Sequence, residues 1–491
     1  MTNESIYETH PYYYSGTFKS LTDKIPSIAD LGITTVYLMP IWKHRDINVL
    51  WDVYGIKDYY DIGPEYGTPQ ELKDLINTVH SHGMKIIFDL VTPHATHDGI
   101  VYNNNWTMNI SLANLQSISS INGWTLNYTT VDGINIVYEG KQLQTDGNYI
   151  YNFYGTVIDN NVIAYTVPYI WGPATDRSNP ELIKYFTNVA KYYVQEYNID
   201  GWRIDVPGNV YNPIVFPGDH SSTNLFINII NAVKSIKQSA IFISEPGMPL
   251  DVVIDLEYVN LPLTNIMSDI IGNKITSSQL VNILLNTSVY TPLFVLESHD
   301  ISRLSTRYPI HNKNFMTLIS TFYGSPFIQA GQEIGATGNW MTNVQVDWIN
   351  GDYTLRDFYK KILSIRNSSN AIKHGIAKDI WKSGNNIYAY SMTYEEENVI
   401  ILLNFSDIQT TSSINIPFKN GDLIIDRLSE ETFIINDPSN FIINIPPYSS
   451  RILTLPYISQ IETLSSVYIV GGLITGYLIH ELILNRNTTK Q

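Results

Sequence analysis

The sequence predicts an α/β protein: a barrel of parallel strands sheathed by helices, interrupted by a small insert after the third strand and followed by an antiparallel β domain. Three observations predict it. Short, almost continuously apolar runs alternate with helical segments through much of the chain, the mark of a parallel sheet covered on both faces. The alternation lapses between His94 and about Asp176, where Asn, Gly, Thr and Tyr crowd the sequence, a stretch too long for a loop. Beyond Gly375 apolar residues recur with period two, the pattern of half-buried strands.

Taken in order, residues 6–10 read as a short first strand. Helical spacing runs over residues 18–31 and stops at Gly32, a C-cap signal. Residues 34–39 form a β-branched buried strand closed by Pro40. Residues 69–82 form a helix in which Leu72, Leu75, Ile76 and Val79 share one face and Gly83 ends the run. The third strand is 85–91. Residues 95–178 make the insert, with hairpin turns at Asp132-Gly133 and Asp146-Gly147.

Alternation resumes with a helix over 180–197, a strand over 201–206, a helix over 224–237 and a strand over 240–245. A sixth unit is only faintly marked within 252–285. Strands at 293–297 and 326–329, a helix near 315–322 and a last amphipathic helix over 355–366 complete eight strand–helix units. The barrel is therefore assigned to residues 1–94 and 179–374. Alternating runs at 386–391, 398–404 and 441–446 make residues 375–456 a β-sandwich.

Residues 457–491 are read as a linker and anchor. The run 464–479 carries no charge, and extends to Leu484 if His480 and Glu481 sit at the interface. Arg486 and Lys490 follow it, placing the tail on the cytoplasmic side and the folded domains outside the cell. Residues 1–5 have neither the basic nor the apolar region of a signal peptide.

Composition narrows the function. A net charge of −16 excludes the basic face that nucleic acid requires. There is no cysteine, hence no disulfide and no thiolate chemistry. Aromatics reach 12%, with 35 tyrosines, a balance suited to stacking on neutral sugar rings. In a parallel barrel, functional groups gather at the C-terminal strand ends. Those ends supply Asp89 and His94, Arg203 and Asp205, Glu245, then His299 and Asp300. On one strand Arg203 and Asp205 point to the same side, so the guanidinium is expected to keep Asp205 ionised. An ion pair of purely structural use would account for Arg203 and Asp205 alone, but not for four acids, two histidines and an arginine on one face.

These segments resemble the characteristic regions of the α-amylase family of glycoside hydrolases. Asp89-Leu-Val-Thr-Pro-His94 is similar to D-x-V-x-N-H, Gly201-Trp-Arg-Ile-Asp205 to G-F-R-x-D, Ile243-Ser-Glu245 to the strand bearing the family's acid, and Phe294-Val-Leu-Glu-Ser-His-Asp300 to F-x-x-E-N-H-D. Residues 37–42, 54–59 and 64–69 fit too. The resemblance covers roughly residues 6–455 and implies a (β/α)8 TIM barrel, an inserted domain after the third strand and a C-terminal β-sandwich. It implies a retaining enzyme acting on starch, glycogen or maltodextrins, with Asp205 as nucleophile, Glu245 as general acid/base and Asp300 as the third acid. It places Tyr54, His94, Arg203 and His299 around the same sugar, Tyr54 stacking on its ring.

Sister enzymes that transfer or isomerise glucosyl units share this machinery, and an inactive sugar-binding or partner subunit is a third reading. That third reading predicts lost carboxylates, and none is lost. Four departures stand out: Pro93 replaces the Asn that often ligates a structural calcium, Gly208-Asn209 replaces a Lys-His pair, Pro246-Gly247 follows the acid, and Ser298 replaces an Asn. The expectation is therefore no cofactor and no calcium at the family's usual site, with an unrelated calcium site in the Asp/Asn-rich insert left open.

Overall fold

The computed structural model describes residues 4–45, 50–140, 142–143, 149–218, 220–259, 261–339, 346–383 and 387–456. Eight parallel strands close into a barrel: β1 (Ile6–Thr9), β2 (Thr35–Leu38), β3 (Lys85–Val91), β4 (Gly201–Asp205), β5 (Ile241–Ser244), β6 (Leu256–Val259), β7 (Thr291–Val295) and β8 (Ser325–Gln329). Each strand pairs with the next, and β8 closes on β1 with Phe327 opposite Ile6. Nearly every strand residue is buried, which is why the strands read as unbroken apolar runs. Gly201 is fixed by proximity: a Cβ there would lie 1.9 Å from the Ile241 carbonyl oxygen of β5.

The helix Pro69–Ser81 starts in a capping box, Thr68 with Glu71, and buries the four expected residues Leu72, Leu75, Ile76 and Val79. Helix Pro180–Tyr197 is capped by Asn179 and ends at Asn198 in the left-handed region. The single helix expected over 18–31 is instead two, Phe18–Thr22 and Ile25–Asp30. Pro26 explains the break, since it lacks an N–H and its ring would strike the carbonyl one turn earlier. The faint sixth strand is β6, followed by helices Leu261–Ile271 and Ser277–Leu285.

The insert holds a five-stranded antiparallel sheet in the order Asn109–Ser111, Asn161–Ala164, Phe153–Ile158, Ile134–Glu139, Asn127–Val131. The hairpin at Asp132-Gly133 has both residues at positive φ, 50° and 81°, as a tight primed turn requires. The turn expected at Asp146-Gly147 lies outside the described residues. A helix Leu112–Asn122, unread in the sequence, packs through Leu115 and Ser119 while Ile121 faces solvent. Its apolar face is too narrow to show a helical period.

By its contacts the chain divides into two compact units, the second comprising residues 269–285, 321–323 and the described chain from 368 to 456. That unit carries a six-stranded and a three-stranded antiparallel sheet. Ala389, Ile400, Leu402 and Leu453 of the larger sheet share a core with Ile414, Ile443 and Ile445 of the smaller. The anchor expected at 464–484 lies outside the described residues. Among those described, no helix is long and apolar enough to cross a membrane.

Candidate active site

The C-terminal ends of the barrel strands bring together most of the residues singled out in the sequence. Arg203 lies fully buried on β4 at the centre. Its Nη1 donates to both oxygens of Asp89 on β3, at 2.9 and 3.0 Å, and to Asp205 Oδ1 at 2.7 Å. Its Nη2 donates to Glu245 Oε1, just beyond β5. The Arg203 guanidinium carbon lies 5.8 Å from the ring of Tyr37 and 5.5 Å from that of Tyr258, so aromatic faces complete its cage. One cation therefore braces three carboxylates, and not Asp205 alone as the strand alternation suggested.

A second chain of contacts runs from β1. Glu8, fully buried, accepts from His299 Nδ1 and, at 3.3 Å, from the His299 backbone N–H. His299 Nε2 lies 2.8 Å from the Tyr54 hydroxyl, which is 2.9 Å from Asp89 Oδ2; the Tyr37 hydroxyl donates to the same oxygen at 2.6 Å. Asp89 and Glu8 can only accept as carboxylates. The Tyr54 proton therefore goes to Asp89, and Nε2–H donates to Tyr54, leaving His299 protonated on both nitrogens. Asp300, whose side chain is 45% exposed, lies 3.3 Å from the same Nε2. Against the pull of burial, Asp300 and Glu8 push His299 up to about 9.

Five carboxylates thus face two cations. Burial pushes Asp205 well above the usual carboxylate range; Arg203 opposes this, but Glu245, Asp89 and Asp300 add to it. Glu245 is raised by burial too, with Arg203 again opposing and Asp300 adding. The sequence expectation that Arg203 simply holds Asp205 ionised is corrected: its charge is divided among three acids, and burial raises both Asp205 and Glu245.

His94, bridged to Ala174 of the insert, donates from Nε2 to the Tyr54 carbonyl at 3.1 Å. Burial lowers it to about 4, so it is neutral and its buried Nδ1 is an acceptor without a partner among the described residues. The half-exposed Trp171 ring stands 6.4 Å away. Tyr54 stacks one face of its ring on His299 at 5.3 Å.

Glu8, Tyr258 and Trp171 lie outside the sequence motifs, and Tyr37 falls only within a matching stretch. Glu8 had a usable signal: a carboxylate inside the short apolar strand that ends at the same barrel face. Tyr258 had none, because β6 itself was barely legible.

The usual calcium position does not fit a metal ion here. Pro93 offers no side-chain oxygen, and its carbonyl accepts from Thr175 at 3.2 Å. The carbonyls of residues 206–208, just before Asn209, are taken by the guanidinium of Arg177. A hard divalent cation needs six or more oxygens free to turn toward it.

The family profile for the α-amylase catalytic domain matches residues 2–245. A cyclomaltodextrinase of Thermoanaerobacter pseudethanolicus is 27% identical over 428 residues, 82% of this chain and 66% of that protein's length. Alpha-amylase 3 of Dictyoglomus thermophilum is 25% identical, covering 88% of this chain and 89% of its own. Among solved structures, the maltogenic α-amylase AmyB from Thermotoga neapolitana shares the fold at a TM-score of 0.69 and 19% identity, over 93% of this chain and 99% of that one. The solved structure shows the shared fold; with the strand-end motifs on one barrel face, the profile and the relatives place the chain in the α-amylase family of glycoside hydrolases.

Proposed function

We propose that the protein is a retaining α-glucan hydrolase that cleaves α-1,4-glucosidic bonds in starch, glycogen or maltodextrins. One observation carries the reading: Asp205 and Glu245 bond the two terminal nitrogens of the same guanidinium. Carboxylates held that close, about 5 Å apart, leave no room for a water between Asp205 and the anomeric carbon and favour a covalent intermediate.

In the first step Asp205 Oδ2, the oxygen that Arg203 leaves unbonded, attacks the anomeric carbon. The glycosidic C–O bond breaks, and the proton of Glu245 passes to the departing oxygen. Glu245 then takes a proton from water, whose oxygen displaces Asp205 and returns the original configuration. This division needs one proton on the pair: an Asp205 that attacks as carboxylate leaves it on Glu245, which burial raises. Asp300 and His94 Nδ1 accept hydroxyl protons from the distorted sugar, and Tyr54 and Trp171 offer aromatic faces to neighbouring rings.

Incubation with maltoheptaose, with products resolved by chain length, tests the reading. Only shorter sugars mean hydrolysis; longer ones mean glucosyl transfer and would replace it. We also propose that residues 464–484 anchor the protein in a membrane, with the domains that act on glucan outside the cell. The uncharged run and the basic residues after it support this.

A further inference from the structure

Arg177 is a buried cation that makes no direct ion pair with a carboxylate among the described residues, although the charge of Asp205 acts on it at a distance. It lies in the run leading from the insert to helix Pro180–Tyr197 and is 2% exposed. Its guanidinium donates to three successive backbone carbonyls: Val206 and Pro207 at 3.1 Å each, and Gly208. Burial draws it down to about 10, still charged at neutral pH. Its own backbone is tied down. The Thr175 hydroxyl donates to Thr92 O at 2.6 Å, the Asp176 N–H to Trp106 O at 2.9 Å, and Asn179 caps the helix that follows.

The loop it grips begins one residue after Asp205. Val206 sits at φ +33°, a left-handed conformation that a β-branched residue resists. In that conformation its N–H meets Glu245 Oε2 at 3.2 Å. Three adjacent carbonyls converging on one point repel each other unless a cation collects them.

We propose that Arg177 is a positioning residue whose guanidinium collects the 206–208 carbonyls in place of a metal ion, and so holds the Val206 N–H against Glu245. The proposal rests on the roles given above to Asp205 and Glu245. That N–H favours the charged form of Glu245. Without it Glu245 titrates higher, and the basic limb of the pH–rate profile, which requires the protonated acid, moves up.

The test uses full-length Arg177→Ala on maltoheptaose from about pH 4 to pH 10. We expect kcat to fall roughly ten- to a hundredfold, KM to change little, and the basic limb to rise by about one pH unit. Added guanidinium ion should restore part of kcat, and Arg177→Lys, which keeps the charge but not the fork, should fall between. A wild-type kcat and limb in Arg177→Ala would overturn the proposal, as would a loss confined to KM. If Arg177→Ala does not fold, Arg177→Gln keeps one donor and is read by the same limb; an unmoved limb overturns it. A wild type that cuts maltoheptaose beside an unaffected Arg177→Ala removes only the role of Arg177. A wild type that leaves maltoheptaose uncut removes the reaction and the proposal together.

Discussion

Replacing Glu8 by Gln removes the carboxylate that accepts both the ring Nδ1–H and the backbone N–H of His299. Burial alone would discharge this imidazole, yet Asp300 and Glu8 raise it from 6.5 to about 9. A folded-state value above the unfolded one means that the charged ring stabilises the fold. That contribution is complete below about pH 6.5 and disappears as pH rises through about 9. At 1.36 kcal/mol per pH unit, the interval corresponds to about 3 kcal/mol. Glu8 is fully buried, so its share is little screened, whereas the Asp300 side chain is 45% exposed and its share is reduced by solvent. Glu8→Gln should therefore lose about 1–3 kcal/mol of stability near pH 6 and flatten the decline between pH 6.5 and 9. Urea unfolding of both proteins at about pH 6, 7.5 and 9 measures this. A wild type whose stability does not fall across that range, or two curves that run parallel, would refute the reasoning.

The other predictions concern the acids, the metal and the tail. Asp205→Asn keeps the volume but cannot form the glycosyl ester, so turnover should vanish with the melting temperature nearly unchanged; residual turnover not traceable to contamination would count against the nucleophile. Glu245→Gln should cost roughly 10²–10⁴ on starch and much less in the first step on an α-glucosyl fluoride, whose leaving group needs little protonation. Asp300→Asn should lose both activities, and equal behaviour of the two variants on the fluoride would contradict their separate roles. EDTA should leave the melting temperature unchanged unless the insert holds an unrelated site; a large drop restored by calcium would show a metal site after all. Full-length protein should sediment with membranes and a chain ending at residue 456 should not; a full-length protein soluble without detergent removes the anchor.

Much of the barrel was legible because burial on both faces of a parallel sheet writes itself as unbroken apolar runs, and helices Pro69–Ser81 and Pro180–Tyr197 carry both a cap and an apolar face. Two kinds of information were not. Helix Leu112–Asn122 shows almost no apolar face, so only Ser111 and Gly123 at its ends announce it. β6 is four residues long with Glu257 in its middle, and no period can be read from so short a run. At the site, the charged residues of the strand ends are visible through their motifs. Their supports are not: Glu8 is 291 residues from His299, and Arg177 is about thirty from the carbonyls it holds. Closure of the barrel brings the first pair together, and the side-by-side pairing of β3 with β4 the second. The charge state is likewise a property of the assembled cluster, since Arg203 beside Asp205 in sequence gives no hint that Asp89 and Glu245 share it.

The division of labour between Asp205 and Glu245 is tested most directly by trapping the intermediate. Glu245→Gln protein is mixed with an α-maltosyl fluoride and analysed by intact mass, then by peptide mapping. The account predicts a mass increase of one maltosyl unit, carried by the peptide containing Asp205. A maltosyl group on any other residue, or unmodified protein that nevertheless cleaves starch at the wild-type rate, would contradict it.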